Sequence, residues 1–505
     1  MTAKRKLVLS IFVLAVSLSL ASSPTSRAFA DDDLKSRLET KLVPYIEQVM
    51  AAQEIPGLAI GVVLKGKIIF ARGFGVKNLD TGEPITPESL FHMASISKTF
   101  VATAVMQLVE KGMVSLDDTI VKHIPYFKLA DERYKKITVQ QMLSHVSGMP
   151  DVEDYEWSDP QYDDGALELY VRSLADLELI SGPGERFAYS NMAYEVLGDL
   201  IAKVSGKTFE AYVKENILDP LGMKESNFLR DAVSPKLTTS PHIRALITEV
   251  SSVYPYNRMH APSSTLHSSA HEMCYWAIAN LNRGVIGETR ILKDASYDIM
   301  WKKWSDAFGG RSVGLSWFIV DYKGNPTIQH SGGDVGYSTN LVLLPEKGAA
   351  VVVLCNEIPG PVRPVTNAAL DVILGLDPEM PKMQASVPVC RALKEEGIDA
   401  AVSLFKKIRR EESGAYDLSM RQFFFIADGL IETGRTEQAA EVANLCIAVD
   451  SKDADGYRLL AFVHYMSGDI DSALDAVRQG LEIDPDDEEL KEYFEQLTQM
   501  QAEKK

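Results

Sequence analysis

Residues 91–98 read Phe91-His92-Met93-Ala94-Ser95-Ile96-Ser97-Lys98, and they open an apolar run at helical spacing. Val101, Ala104, Val105, Leu108 and Val109 mark one helix face, and Gly112 stops it. A serine hydroxyl is a poor nucleophile at neutral pH unless a base stands beside it. Residues three apart share a helix face, so Lys98 is placed to reach the Ser95 hydroxyl. A helix start adds free N–H groups and a positive field, both favourable to a developing anion. To serve as a base, Lys98 must titrate below the usual lysine value of about 10.4, through burial or a neighbouring cation. The spacing alone does not discriminate. Ser403-Leu404-Phe405-Lys406 repeats it inside a helical tail, where an amphipathic helix accounts for it.

Two further segments supply the context. Tyr189-Ser190-Asn191 follows a Gly182-Pro183-Gly184 turn and precedes a helix carrying Val196, Leu197, Leu200, Ile201 and Val204, stopped by Gly206. A phenol near Lys98 can relay the Ser95 proton to a leaving group, and an amide can orient both Lys98 and a substrate carbonyl. His330-Ser331-Gly332-Gly333 ends a strand-like run. Glycines there allow close backbone approach, and one N–H can complete an oxyanion hole.

These three elements, in this order, resemble the serine β-lactamase and penicillin-binding-protein superfamily. The likeness is nearest to its class C-like branch, which also holds D,D-peptidases, D-aminopeptidases and esterases. It extends to Gln140-Gln141-Met142-Leu143-Ser144-His145-Val146-Ser147-Gly148 and to Asp219-Pro220-Leu221-Gly222-Met223, and covers roughly residues 34–376. The resemblance implies that Ser95 is acylated, that Lys98 and Tyr189 share the acid–base work, and that Asn191 contacts substrate and Lys98. It implies an oxyanion hole from the N–H groups of Ser95 and Gly333, with His330, Ser331 and Gly332 lining the substrate. The family's third motif is usually Lys-Thr-Gly, whose lysine meets a substrate carboxylate. A histidine at 330 is mostly neutral at pH 7 unless a carboxylate raises its pKa. The expected substrates therefore shift from anionic β-lactams towards esters, amides and peptides with other termini.

The pattern of elements around these motifs is α+β. Leu58–Leu64 and Ile68–Phe74 read as a hairpin joined at Lys65-Gly66-Lys67. Gly314–Asp321, Thr327–Ser331, Thr339–Leu344 and Ala349–Cys355 read as later strands. Strands at both ends with helices between them predict one antiparallel sheet uniting N- and C-terminal strands. The expected divisions are a signal segment over 1–30, a hydrolase domain over 31–376, a Pro-rich linker over 377–388 and a helical module over 389–505. In that module Gly434 and Gly468, Ala439 and Ala473, Ala427 and Ala461, and Asp450 and Asp484 are each 34 residues apart. That period resembles tetratricopeptide helix pairs, with Glu395–Lys407 as a degenerate earlier unit. Two clear units are too few to stand alone, so the module is expected to pack against the hydrolase domain.

The remaining features set boundaries. Lys4, Arg5 and Lys6, an apolar run over Leu7–Ala21 and Ala28-Phe29-Ala30 form a secretory signal pattern, which predicts a periplasmic or secreted protein with no stable membrane anchor once it is cleaved. The formal charge of −18 argues against a nucleic-acid partner. No cofactor and no metal are called for; His267 and His271 are four apart, on one face of an expected helix, but no third ligand stands near. Cys274, Cys355, Cys390 and Cys446 are far apart and read as buried apolar residues. The acidic, aromatic stretch Asp151–Tyr162 is placed to border the cleft. The expected partners are a small-molecule or peptide substrate and a protein or peptide at the repeats. The alternative function is a scaffold in which the repeats bind and the hydrolase domain is inert.

Overall fold

A computed structural model describes residues 32–503. The expected signal segment, 1–30, lies outside them. The elements that build the site are α1 (Val43–Gln53), β1 (Gly57–Leu64), β2 (Lys67–Gly75), β3 (Leu90–His92), α2 (Ser97–Glu110) and α3 (Asn191–Ser205). They continue with β4 (His242–Arg244), β5 (His267–Ser269), α4 (Ala270–Leu281), β6 (Ser305–Asp306), β7 (Ser312–Val313) and β8 (Phe318–Tyr322). Then come β9 (Asn325–Asp334), β10 (Tyr337–Leu344), β11 (Ala349–Cys355), β12 (Glu357–Ile358) and α5 (Val362–Leu374).

Eight strands form one antiparallel sheet in the order β2-β1-β11-β10-β9-β8-β7-β6. The N-terminal hairpin is thus joined to the C-terminal strands through β1 and β11, with Leu58 opposite Cys355 and Val63 opposite Ala350. Alternation along β1 sends Ala59 and Val63 to one core and Leu58, Ile60 and Val62 to the other. The first core lies under α2, α3 and α4; the second lies under α1 and α5. Helix α2 is buried on every side from Ser97 to Leu108, and Phe100 stacks on Trp276 of α4 at 3.9 Å. A central, fully packed helix is a rigid support for the residues at its start.

Two strand expectations change in detail. The run Gly314–Asp321 is not one strand: Gly314–Trp317 turns between β7 and β8, with Ser316 at φ 72°. A Cβ on Gly314 would lie 2.1 Å from the Met300 carbonyl oxygen, so the chain must bend there. His267 and His271 do not share a helix. His267 ends up on β5, and α4 starts at Ala270 because Ser269 caps it, accepting from the Glu272 N–H.

The C-terminal module runs α6 (Ser386–Glu396), α7 (Ile398–Glu411), α8 (Arg421–Glu432), α9 (Thr436–Val449), α10 (Ala454–Met466), α11 (Ile470–Ile483) and α12 (Glu488–Glu503). The 34-residue period has a structural counterpart. Gly434 and Gly468 both take left-handed φ at the turn inside a helix pair, and Ala439 and Ala473 are both fully buried. Glu395–Lys407 is not a unit; it straddles the break at Gly397, and the earlier helix pair is α6 and α7. Helix α6 already begins at Ser386, since Pro388 is tolerated in a first turn. The module packs on the rest of the chain through Ala245 and Leu246, which share a core with Val389, Phe405 and Ile426. Ion pairs Arg391–Glu54 and Arg435–Glu249 flank that contact. All four cysteines are buried and free. No helix among the described residues is long and apolar enough to cross a membrane.

Candidate active site

Ser95 lies in a tight turn, Ala94–Ile96, between β3 and α2. Ala94 takes a left-handed φ of 48°, a strained state for a residue with a Cβ. Three contacts hold the turn in place. The Met93 N–H donates to the Leu266 carbonyl at 2.7 Å, Thr339 Oγ1 donates to the Met93 carbonyl at 2.9 Å, and the Leu266 N–H donates to Ser97 Oγ at 3.1 Å.

Lys98 is fully buried, and its Nζ is 2.8 Å from Ser95 Oγ and 2.8 Å from the Ser263 carbonyl. Burial pulls its ammonium down from 10.5 to about 8, against the opposing pull of Glu195, Asp151 and Asp334. The Ser403–Lys406 copy differs in this respect: Ser403 and Lys406 are both exposed on α7. Tyr189 shares a hydrogen bond with Ser95, and burial holds its phenol well above the usual 10, so it stays protonated at neutral pH.

Asn191 makes its hydrogen bonds to Asp151. Its backbone N–H donates to Asp151 Oδ1 at 2.7 Å, and its side-chain amide donates to the two Asp151 oxygens at 2.9 and 3.1 Å. The acidic stretch expected at the cleft therefore enters through Asp151, while Tyr155 and Trp157 stack on each other and edge onto His260.

β9 brings the third motif alongside. β8 pairs with β9 only as far as Gln329, so His330–Asp334 have a strand partner only in β10 and leave their other edge to the Ser95 turn. A Cβ on Gly332 would lie 2.5 Å from the Met93 oxygen, 2.6 Å from Thr339 Oγ1 and 2.9 Å from Ala94 Cβ. Only glycine permits this approach. Asp334, one residue past Gly333, accepts from His92 Nε2 at 2.7 Å and from Ser264 Oγ. It ties the strand before Ser95, the segment beside Lys98 and the end of β9 into one knot.

His330 is buried and neutral. Burial and the Lys98 charge hold it down near 3; its Nδ1 donates to the Ser331 carbonyl at 2.7 Å, and Nε2 has no partner among the described residues. His145 supports Tyr189. Its ring stacks on Tyr189 at 4.2 Å, its Nδ1 accepts from the Ser190 N–H at 3.2 Å, and its carbonyl accepts from the Ala188 N–H.

A cavity of about 470 Å³ opens from Ser95 and Tyr189 along His330–Gly333 to α5. Sequence reading did not find its two guanidinium groups, Arg311 and Arg363. Neither forms an ion pair among the described residues, and burial, with the charge of Arg363, pulls Arg311 below its usual value.

Residues 42–375 match the Beta-lactamase family. The chain belongs to that family. Residues 430–492 of this β-lactamase-family chain match a tetratricopeptide repeat. It is 28% identical over 316 residues to Protein flp of Staphylococcus aureus (strain MW2), covering 62% of this chain and 61% of that one. The chain thus spans about three fifths of the length of those staphylococcal relatives. Penicillin-binding protein 4 of Amycolatopsis lactamdurans is 27% identical over 314 residues, covering 60% of this chain and 81% of that protein. Among solved structures, the octameric penicillin-binding protein homologue from Pyrococcus abyssi superposes with a TM-score of 0.60 at 30% identity, over 70% of this chain and 81% of that one. The hydrolase EstCE1 shares the fold at 20% identity, with a TM-score of 0.56 over 68% of this chain and 98% of that one.

His145, His267 and His330 are all buried with pKa values held below 6.5. Below pH 6.5 the unfolded chain binds protons that the folded chain refuses, so each ring contributes stability that is lost as pH falls. For His330, held near 3, the loss at pH 5 is roughly 2 kcal/mol. Urea unfolding at pH 7.5 and pH 5 isolates one ring when the protein is compared with its His330→Gln variant. The variant is expected to lose about 2 kcal/mol less across that interval; equal losses would show that His330 does not titrate differently on folding.

Proposed function

We propose that this β-lactamase-family chain is an exported serine hydrolase that forms an acyl-enzyme on an ester, amide or peptide carbonyl. The observation that carries the reading is the buried Lys98 Nζ, 2.8 Å from Ser95 Oγ and titrating near 8. In its amine form Lys98 takes the Ser95 proton as Oγ bonds to the carbonyl carbon. The oxyanion accepts from the N–H groups of Ser95 and Gly333. Tyr189, protonated by virtue of its burial, gives its proton to the departing alkoxide or amine and recovers one from Lys98. Water then attacks the acyl carbonyl by the same route in reverse and frees Ser95. His330 and Gly332 shape the wall along which the substrate lies, and Asp151 holds the Asn191 side chain. Residues 1–30 direct the chain out of the cytoplasm.

The neutral His330 favours uncharged acyl groups next to the scissile bond. A second reading rests on Arg311 and Arg363, which bring unpaired positive charge to the outer cavity and favour a substrate with a carboxylate further out. A panel of p-nitrophenyl esters, D-amino-acid amides, N-acylated D-Ala-D-Ala peptides and nitrocefin separates the two. Esters and neutral amides are expected to turn over fastest. Nitrocefin hydrolysis at rates matching the esters would overturn that order, and no turnover of any member would favour the scaffold function.

A further inference from the structure

The C-terminal module carries a second cavity, of about 450 Å³, on the side formed by α8, α10 and α12. Its walls are aromatic: Phe424 and Phe425 from α8, Phe462 from α10 and Tyr493 from α12. Its charged groups are Asp428, Glu489, Glu492 and one cation, Arg458. Arg458 is already neutralised, since it pairs with Asp455 and Glu489 and lies 4.0 Å from Asp487. Asp428 and Glu492 form no ion pair among the described residues. Burial pushes the Asp428 carboxyl up. The outer rim shows how a cation is received: the Arg421 guanidinium lies over the Phe425 ring, 5.6 Å from its centre.

Aromatic faces beside uncompensated carboxylates fit a long cationic side chain. Its aliphatic stem packs on the rings while its head meets the carboxylate. We propose that this groove binds a basic, apolar peptide segment, with an Arg or Lys laid against Phe425 and Phe462 and its charged head on Asp428. The negative excess of the groove excludes acidic segments, and Phe425, 43% exposed, is open to receive the partner. The groove is separate from the Ser95 cavity, and the inference stands whether or not the hydrolase reading does.

The test uses the full chain and two labelled octapeptides: one alternating Arg with Leu, the other with Glu in place of every Arg. Fluorescence anisotropy is expected to show saturable binding of the Arg peptide and binding at least about 30-fold weaker for the Glu peptide. Added salt is expected to weaken the first. Asp428→Asn, nearly isosteric, is expected to weaken the Arg peptide about tenfold without changing ester turnover or the melting temperature. Absence of saturable binding, equal affinity for the two peptides, or indifference to Asp428→Asn would each overturn the proposal. Sedimentation supplies a further arm. Concentration-dependent dimerisation abolished by Phe425→Glu would assign the groove to a second copy of this chain and overturn it equally.

Discussion

Replacement of Lys98 by methionine is expected to lower kcat/KM for a p-nitrophenyl ester about a thousandfold, within the range for loss of a positioned base. The side chain is fully buried and in contact with Ser95, so methionine keeps most of the packing and removes only the amine. The pH profile separates chemistry from structure. Lys98 is a base only when deprotonated, and it titrates near 8. Activity of the native protein should therefore rise with pH through a midpoint near 8 and fall by about tenfold for each unit below it. The variant should lose that dependence. A native profile that is flat between pH 6 and 9 would remove Lys98 from the base role.

The second large effect belongs to Gly332. Its replacement by alanine places a methyl group 2.5 Å from the Met93 oxygen and 2.9 Å from Ala94 Cβ, both part of the turn that presents Ser95. β9 must move away, and the Gly333 N–H moves with it. Loss of one oxyanion donor costs roughly a hundred- to a thousandfold in kcat, so Gly332→Ala should reach that range with a smaller change in KM. Gly333→Ala is the control. A Cβ there meets only the end of the Ile358 side chain, at 3.2 Å, and the N–H is retained. Its loss should be much smaller. Equal effects at the two positions would mean that the close approach of β9 is not what sets the site.

These two residues also show what the sequence makes legible. Ser95 and Lys98 are three apart at a helix start and Gly332 lies near the end of a strand, so the order of the motifs along the chain, more than the spacing within any one, reaches them. The sheet that joins β1 to β11 follows from strands at both ends of the domain. The supporting partners are different. Asp151, His145, Ser263 and Asp334 come from loops, a short helix and a strand end, separated from their targets by tens to hundreds of residues, and no local pattern tells which residue each one meets. The partner of Asn191 could not be read because Asp151 is brought to it by tertiary structure alone. The same applies to Arg311 and Arg363, ordinary charged residues until the cavity gathers them. The His267–His271 spacing misled because Ser269 starts the helix between them.

The measurement that bears most directly on the proposed chemistry is the intact mass of the full chain after exposure to a fluorophosphonate. One covalent adduct is expected on the native protein, mapped to Ser95 by peptide sequencing, with formation faster at pH 8 than at pH 6. Ser95→Ala should gain none and should lose ester turnover. An unmodified native protein, or a Ser95→Ala variant that labels and turns over as the native protein does, would contradict Ser95 as the nucleophile.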